Sequence, residues 1–329
     1  MSDVLVLFDR NLHKNVPMTI KQDHIDQVRQ AAKGNVYWCE TEAEALEQGI
    51  DAEVLFTWGG TGRMPEDLCQ SSKNLKWIHT FSAGIDAIIK SPIKDLPIRL
   101  TNAKGIHGRT MSTVAIGFII SMVRGFRRFD RSQREHVWLK DIEKPRDIRG
   151  MVLCIVGAGA IGSELAKLAK VLEMRVTGVK RSVTALEYFD DVYPASRLDE
   201  ALAEADIVVC LAPATPETFH LFDAGRFKSM KSSAYFINIS RGTVVDEAAL
   251  IDALKSGTIA GAALDAVEKE PLSEDSPLWD MENVIITPHC SADRINYIDD
   301  AFSQFCELLE LYEAGKPLYN EINLRETAY

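Results

Sequence analysis

Apolar residues are distributed along this chain in two alternating rhythms. Short unbroken runs, such as Val4 to Phe8 and Val152 to Val156, are the pattern of parallel strands buried on both faces. Between them, apolar positions recur at intervals of three and four, as helices packed on one side require. In the N-terminal third the rhythm predicts strands at Val4 to Phe8, Val36 to Trp38, Val54 to Thr57 and Leu75 to Thr80. Helices are predicted at Ile20 to Lys33 and Glu42 to Gln48. Near Thr101-Asn102 the chain leaves this small α/β domain. Met111 to Phe129 then predicts one long, largely apolar helix, a packing element between domains or subunits. Six further strands follow, at Val152 to Val156, Val176 to Val179, Ile207 to Leu211, Tyr235 to Ile239, Ile259 to Leu264 and Val284 to Ile286, the number in a complete doubly wound dinucleotide fold. A last helix, Ile295 to Ala314, stops at Gly315 with Pro317 beyond it.

The strand at Val152 runs directly into Gly157, Gly159 and Gly162, and an amphipathic helix and a second strand close the unit. This is G-x-G-x-x-G in its β-α-β setting. Gly157 would allow the tight turn, Gly159 would let backbone approach a pyrophosphate, and Gly162 would let helix and strand pack closely. Where an NAD site usually carries an acidic residue, this chain has Lys180-Arg181-Ser182. Two cations can pair with a 2′-phosphate that a carboxylate would repel, so the triplet points to NADP, with NAD possible. The alternative is a solvated strand end.

Composition narrows the partners. At 329 residues the chain has room for two domains, and its net charge of −11 disfavours nucleic acid and anionic membranes. The arginines from Arg124 to Arg134 fall at helical spacing, as on one charged helix face. Neither a secretory signal nor a membrane-length apolar run is visible, so a cytoplasmic protein is expected. The six cysteines are scattered like reduced core residues and suggest neither a disulfide frame nor a metal site.

In an open α/β sheet ligands gather at the carboxyl ends of the strands. Beyond the glycines and Lys180-Arg181, the predicted strands deliver Ala212-Pro213, then Ser240-Arg241-Gly242, then Asp265 with Glu268 and Glu270, then Thr287-Pro288-His289. An arginine, a carboxylate and a histidine thereby converge on the nucleotide. Reduction of a ketone by hydride needs a proton at the developing alkoxide, which His289 can supply near neutral pH. A carboxylate, from Glu268 or Glu270, would orient its ring, and Arg241 would grip a substrate carboxylate and polarise the carbonyl. In the first domain, Trp58-Gly59-Gly60 and Phe81-Ser82-Ala83-Gly84 are loops able to hold a carboxylate through backbone N–H groups or simply to turn the chain. Trp58 and Met64 are candidate pocket residues. His13, His24, His136 and His220 are read as surface or helix residues, and His79 and His107 are left without a role.

These residues resemble the D-isomer-specific 2-hydroxyacid dehydrogenases. The likeness is carried by Gly157 to Gly162, Ile237 to Asp246, Gly261 to Asp265, Glu270-Pro-Leu272, Ile286 to His289 and the tail Gly315 to Asn320. The resemblance implies Arg241 as the substrate-activating arginine, Glu270 rather than Glu268 as the partner carboxylate, and His289 as acid/base. It implies nicotinamide contact by Asp265, substrate carboxylate binding at Ala83 and Gly84, and further cofactor contacts at Ala160, Ile161, Ala212, Pro213, Thr218, Ile239, Ser240, His289 and Ser291. The implied fold has two doubly wound α/β domains with the active site in the cleft between them. One is a Rossmann nucleotide-binding domain, residues 102–290; the other is a smaller flavodoxin-like substrate domain, residues 1–101 and 291–329. It also implies a homodimer joined through the nucleotide domains.

Departures from the family pattern lie at Val114-Ala115-Ile116, at Asp265-Ala-Val-Glu268 and at Cys290-Ser291-Ala292. None removes a catalytic group. The Lys180-Arg181 pair is similar to that of NADP-preferring glyoxylate and hydroxypyruvate reductases, which makes a small 2-keto acid the leading substrate class. The alternatives are a nucleotide-sensing, corepressor-like relative and a dehydrogenase of another substrate, such as formate, phosphite or a phosphorylated hydroxy acid.

Overall fold

The computed structural model describes residues 2–13, 19–60, 62–140, 145–182 and 185–324. It divides into two compact units, Met1–Ile106 with Arg294–Tyr329, and His107–Asp293. The first unit runs β1 (Val4–Leu7), α1 (Gln22–Ala31), β2 (Val36–Cys39), α2 (Glu42–Glu47), β3 (Val54–Thr57), α3 (Glu66–Ser71), β4 (Trp77–Thr80), α4 (Asp86–Ile89) and β5 (Arg99–Asn102). Its strands are all parallel, in the order β2-β1-β3-β4-β5. This is the flavodoxin-like order. Val4 and Val6 face one core and Leu5 and Leu7 the other, because successive strand residues point to opposite faces. On the first face the sheet packs against α1 and the last helix, Tyr297–Glu313, through Phe56, Phe302 and Phe305. That helix therefore returns to the unit in which the chain began.

β5 escapes the apolar pattern because Arg-Leu-Thr-Asn offers one hydrophobic residue, although the strand completes the sheet. Met64 also departs from expectation. It is 1% exposed and packs in the core with Leu68 and Cys69 instead of lining a pocket. His13 and His24 are buried, the latter on α1 with its Nε2 2.9 Å from Asp299 Oδ1.

The second unit begins with α5 (Gly108–Arg124) and α6 (Phe126–Arg134), where the sequence predicts one helix. Gly125 takes φ +67° and ends α5 in a left-handed turn. The apolar face of α5 is also used within its own unit. Ala115, Phe118 and Ile119 lie in one core with Leu165 and Ala169, so its greasiness reflects internal packing.

There follow β6 (Val152–Val156), α7 (Ala160–Val171), β7 (Arg175–Lys180), β8 (Asp191–Pro194), α8 (Leu198–Glu204), β9 (Ile207–Cys210), α9 (Ala224–Ser229), β10 (Tyr235–Asn238), α10 (Glu247–Lys255), β11 (Gly261–Leu264) and β12 (Val284–Ile286). The parallel sheet has seven strands, not six, ordered β12-β11-β10-β9-β6-β7-β8. The extra one, β8, is a half-exposed edge strand of sequence Asp-Val-Tyr-Pro, too polar to read as buried. In strand sequence the order is that of a Rossmann sheet extended by one strand. Leu153 and Ile155 of β6 face α5 and α7, while Cys154 and Val156 face the core on the side of α8 and α10.

Candidate active site

All seven strands of the second sheet are parallel, so their carboxyl ends line one edge. After β6 the chain turns at Gly157, whose φ is +103°. A side chain there would begin 2.5 Å from the Leu211 carbonyl carbon, so only glycine fits. Gly159 is different, with no heavy atom within 4 Å of its would-be side chain. It is the N-cap of α7 and brings no side chain over the first-turn N–H groups. A phosphate can therefore reach the backbone at the positive end of a twelve-residue helix, with Ala160 and Ile161 opening its first turn. These residues fit a dinucleotide.

Lys180 ends β7 half-buried, followed by exposed Arg181 and Ser182. Among the described residues neither cation closes an ion pair. The nearby Glu217 carboxyl is held low first by the Thr215 hydroxyl, with a smaller contribution from Arg181. Ala212 is buried and Pro213 exposed, and the Thr218 hydroxyl turns inward to donate to the Pro213 carbonyl at 2.6 Å. Ile239 places its side chain in the core, which leaves only its backbone for a ligand.

Three loops carry the chemistry. After β10, the buried Asn238 side chain accepts from Ser240 N–H at 3.1 Å and donates to the carbonyls of Arg241 (3.2 Å) and Ala266 (3.1 Å). Half-buried Arg241 donates from Nη1 to the Ser240 carbonyl at 2.9 Å. After β11, Asp265 is 4% exposed and organises the next loop. Its Oδ1 accepts from the Thr287 hydroxyl (2.6 Å) and Cys290 N–H (2.9 Å), and its Oδ2 accepts from Ser291 N–H (3.0 Å). Ser291 Oγ is buried with no partner among the described residues.

After β12 that loop presents His289 at φ +52°, a left-handed conformation uncommon for a side-chain-bearing residue. Its Nδ1 lies 2.8 Å from Glu270 Oε2. An ionised carboxylate only accepts, so Nδ1 carries the proton and Nε2 is left for other work. The imidazole pKa is raised, chiefly by the Glu270 hydrogen bond. Burial and the positive charge of Arg241 oppose that shift, and the charges of Glu270 and Asp265 add to it. Arg241 is thus close enough to be felt electrostatically.

Glu268 points elsewhere, to His220 Nε2 at 2.7 Å, so the histidine's partner is Glu270. His220 is accordingly a half-buried, paired residue and no bare surface group. Sequence reading gave Asn238, Thr287 and His220 no function, since each matters through a partner distant in sequence.

In the first unit, Ala83 and Gly84 lie in the turn after β4, with the Ser82 hydroxyl donating to the Gly84 carbonyl at 2.7 Å. Among the described residues their own N–H groups have no protein acceptor. Half-buried Trp58 packs on the Phe56 core. His79 and His107 are both buried. All six cysteines are free thiols, five of them buried. Among the described residues no cluster of three or more His, Cys, Asp or Glu could hold a metal ion, and no helix is long and apolar enough to cross a membrane.

A family profile described as D-isomer specific 2-hydroxyacid dehydrogenase, NAD binding domain, matches residues 116–291. The chain is 32% identical to a glyoxylate reductase of Thermofilum pendens over 78% of its own length and 77% of that protein. Its fold is similar to that of a D-isomer specific 2-hydroxyacid dehydrogenase of Xanthobacter autotrophicus solved with NADPH and MES, at 30% identity and a TM-score of 0.82, covering all of both chains. It is also similar to an NADPH-dependent glyoxylate/hydroxypyruvate reductase of Sinorhizobium meliloti solved with NADP and sulfate, at 26% identity and a TM-score of 0.81, again covering both chains fully.

Proposed function

The chain belongs to the D-isomer specific 2-hydroxyacid dehydrogenase family, and from that premise we propose that it reduces a small 2-keto acid with NADPH and oxidises the D-2-hydroxy acid in reverse. One observation carries the reading: a histidine held at Nδ1 by Glu270, with Nε2 unengaged, on the same sheet edge as Arg241 and the phosphate-ready turn at Gly159.

NADPH, when bound, supplies the hydride. Gly157, Gly159 and the start of α7 would hold its pyrophosphate, and Lys180, Arg181 and Ser182 would hold the 2′-phosphate. His289 keeps its proton as the keto acid binds and delivers it from Nε2 to the carbonyl oxygen as negative charge develops there. Glu270 stabilises the imidazolium and fixes the tautomer, and Arg241 polarises the carbonyl and pairs with the carboxylate. The first unit is proposed to serve the substrate, with the N–H groups of Ala83 and Gly84 taking carboxylate oxygens. A cytoplasmic homodimer is the assembly and location in keeping with free cysteines and family resemblance.

Initial rates with glyoxylate, hydroxypyruvate, pyruvate and an aromatic 2-keto acid, each with NADPH and NADH, test the reading. Turnover is expected to favour NADPH. Replacing both cations, Lys180→Ala with Arg181→Ala, is expected to raise KM for NADPH about ten-fold or more while leaving NADH within about two-fold, the loss of charge-assisted contacts to a single phosphate. NADPH binding without turnover of any acid would replace the enzyme reading with a sensing one.

A further inference from the structure

We propose that His220 and Glu268 are positioning residues, a second histidine–carboxylate pair that holds the loop bearing Glu270 in register with the segment bearing Arg241. The proposal rests on the reading that Arg241, Glu270 and His289 act together.

The Arg241 segment continues through residues 242–245 into α10, which begins at Glu247. Residues 220–222 lie alongside it: His220 N–H donates to the Thr243 carbonyl at 2.9 Å and Phe222 N–H to the Val244 carbonyl at 3.0 Å. From this position the His220 ring reaches across to Glu268 Oε1 at 2.7 Å. His220 therefore touches the Arg241 segment with its backbone and the Glu270 loop with its ring.

A second tie runs in parallel. Glu268 N–H donates to Glu247 Oε2 at 3.1 Å, and Glu247 N–H donates back to Glu268 Oε2 at 3.3 Å. A third is steric, since a Cβ on Gly242 would stand 1.8 Å from the Val267 carbonyl oxygen. The two segments thus meet backbone to backbone. Two residues beyond Glu268, Glu270 accepts from Val267 N–H at Oε1 (3.3 Å) and holds His289 at Oε2.

A structural ion pair is the simpler reading, but side chains 31% and 34% exposed gain little stability from pairing. Two features favour position over stability. His220 is held at φ +48°, and such left-handed strain costs energy that a surface pair would not return. The pair also sits on the reciprocal tie between Glu247 and Glu268, where burial raises the Glu247 pKa, the Glu268 N–H bond opposes that rise and the Glu268 charge adds a smaller one. The first is a local cost, and both fix the loop geometrically.

The test uses the full chain and the variants Glu268→Ala, His220→Ala and His220→Gln. The alanine variants are expected to lower kcat for keto-acid reduction roughly ten-fold or more, as a misplaced catalytic group does, while NADPH affinity stays within about two-fold. His220→Gln retains an N–H donor toward Glu268 and should recover most of the loss. Besides Glu270, the charges felt by or facing His289 are Arg241, Asp265 and Asp293. Loosening Glu270 alone should move the alkaline limb of kcat/KM to lower pH, because its hydrogen bond is the main support of the imidazolium.

Wild-type kcat and an unmoved alkaline limb in both alanine variants would overturn the proposal, provided His289→Ala is dead. A wild type without turnover would instead refute the enzymatic reading. The positioning claim would then be decided by NMR titration of the His289 imidazole, where an unchanged pKa in Glu268→Ala overturns it and a lowered one supports it. His220→Ala removes only a ring and keeps the test open if Glu268→Ala does not fold.

Discussion

A histidine whose Nδ1 is held by a carboxylate has one nitrogen left for chemistry, and at His289 that division rests on a single 2.8 Å contact. His289→Ala is expected to lower kcat at least about a thousand-fold, the loss of an acid/base group together with its contact to substrate, while NADPH binding stays near wild type. Stopped-flow reduction and a fluorescence titration of NADPH check both halves. Because the Glu270 bond raises the imidazole pKa, His289 stays protonated to higher pH than a free histidine. The pair's contribution to folding is full below the unfolded histidine pKa and is lost as pH rises through the folded one. Reduction should follow the same alkaline fall. Arg241, Glu270 and His289 were legible in the sequence because each follows an apolar strand or a family motif. Asn238 and His220 were not, since nothing local distinguishes a buried asparagine that pins two carbonyls from one that ends a strand.

At the scale of elements, the break between α5 and α6 is a property of one backbone angle. Gly125→Ala meets no neighbouring atom within 4 Å, so only the left-handed φ of +67° resists it. The variant is expected to lose about 1–2 kcal/mol in urea unfolding with unchanged turnover. An unchanged midpoint would mean that the two helices merge without penalty. In the first sheet, His79 is fully buried beside Phe56 and Phe305, with Nδ1 2.7 Å from the Thr101 hydroxyl, which also accepts from Trp77 Nε1 at 2.9 Å. Burial pushes its pKa down to about 3 from an ordinary 6.5. The unfolded chain therefore binds the extra proton first, so the stability His79 contributes is present above about pH 6.5 and falls as pH drops toward 3. Urea midpoints across that range should decline with acid, and more steeply in the wild type than in His79→Gln. Equal slopes would show that the ring is not buried neutral. β8 was invisible to periodicity because a half-exposed edge strand needs few apolar residues, and β5 because two of its three buried residues, Thr101 and Asn102, are polar.

For the whole molecule, a ligand that binds only the folded chain raises its melting temperature by mass action. NADPH at a hundred times its Kd should add about 2.7 kcal/mol, and NADH at the same concentration less. Equal shifts measured by calorimetry would remove the phosphate preference. The sequence by itself determined that this is an α/β protein with a dinucleotide turn, because burial on both faces and the G-x-G-x-x-G geometry are written in contiguous residues. It also determined which residue types reach the carboxyl edge of the second sheet, since strand ends are local. Only the tertiary structure decided that Glu268 meets His220, that α5 spends its apolar face inside its own unit, and that Met64 belongs to a core. Those outcomes depend on which strands are neighbours and how far their loops reach, and a distance in space between residues far apart in the chain has no counterpart in their local pattern.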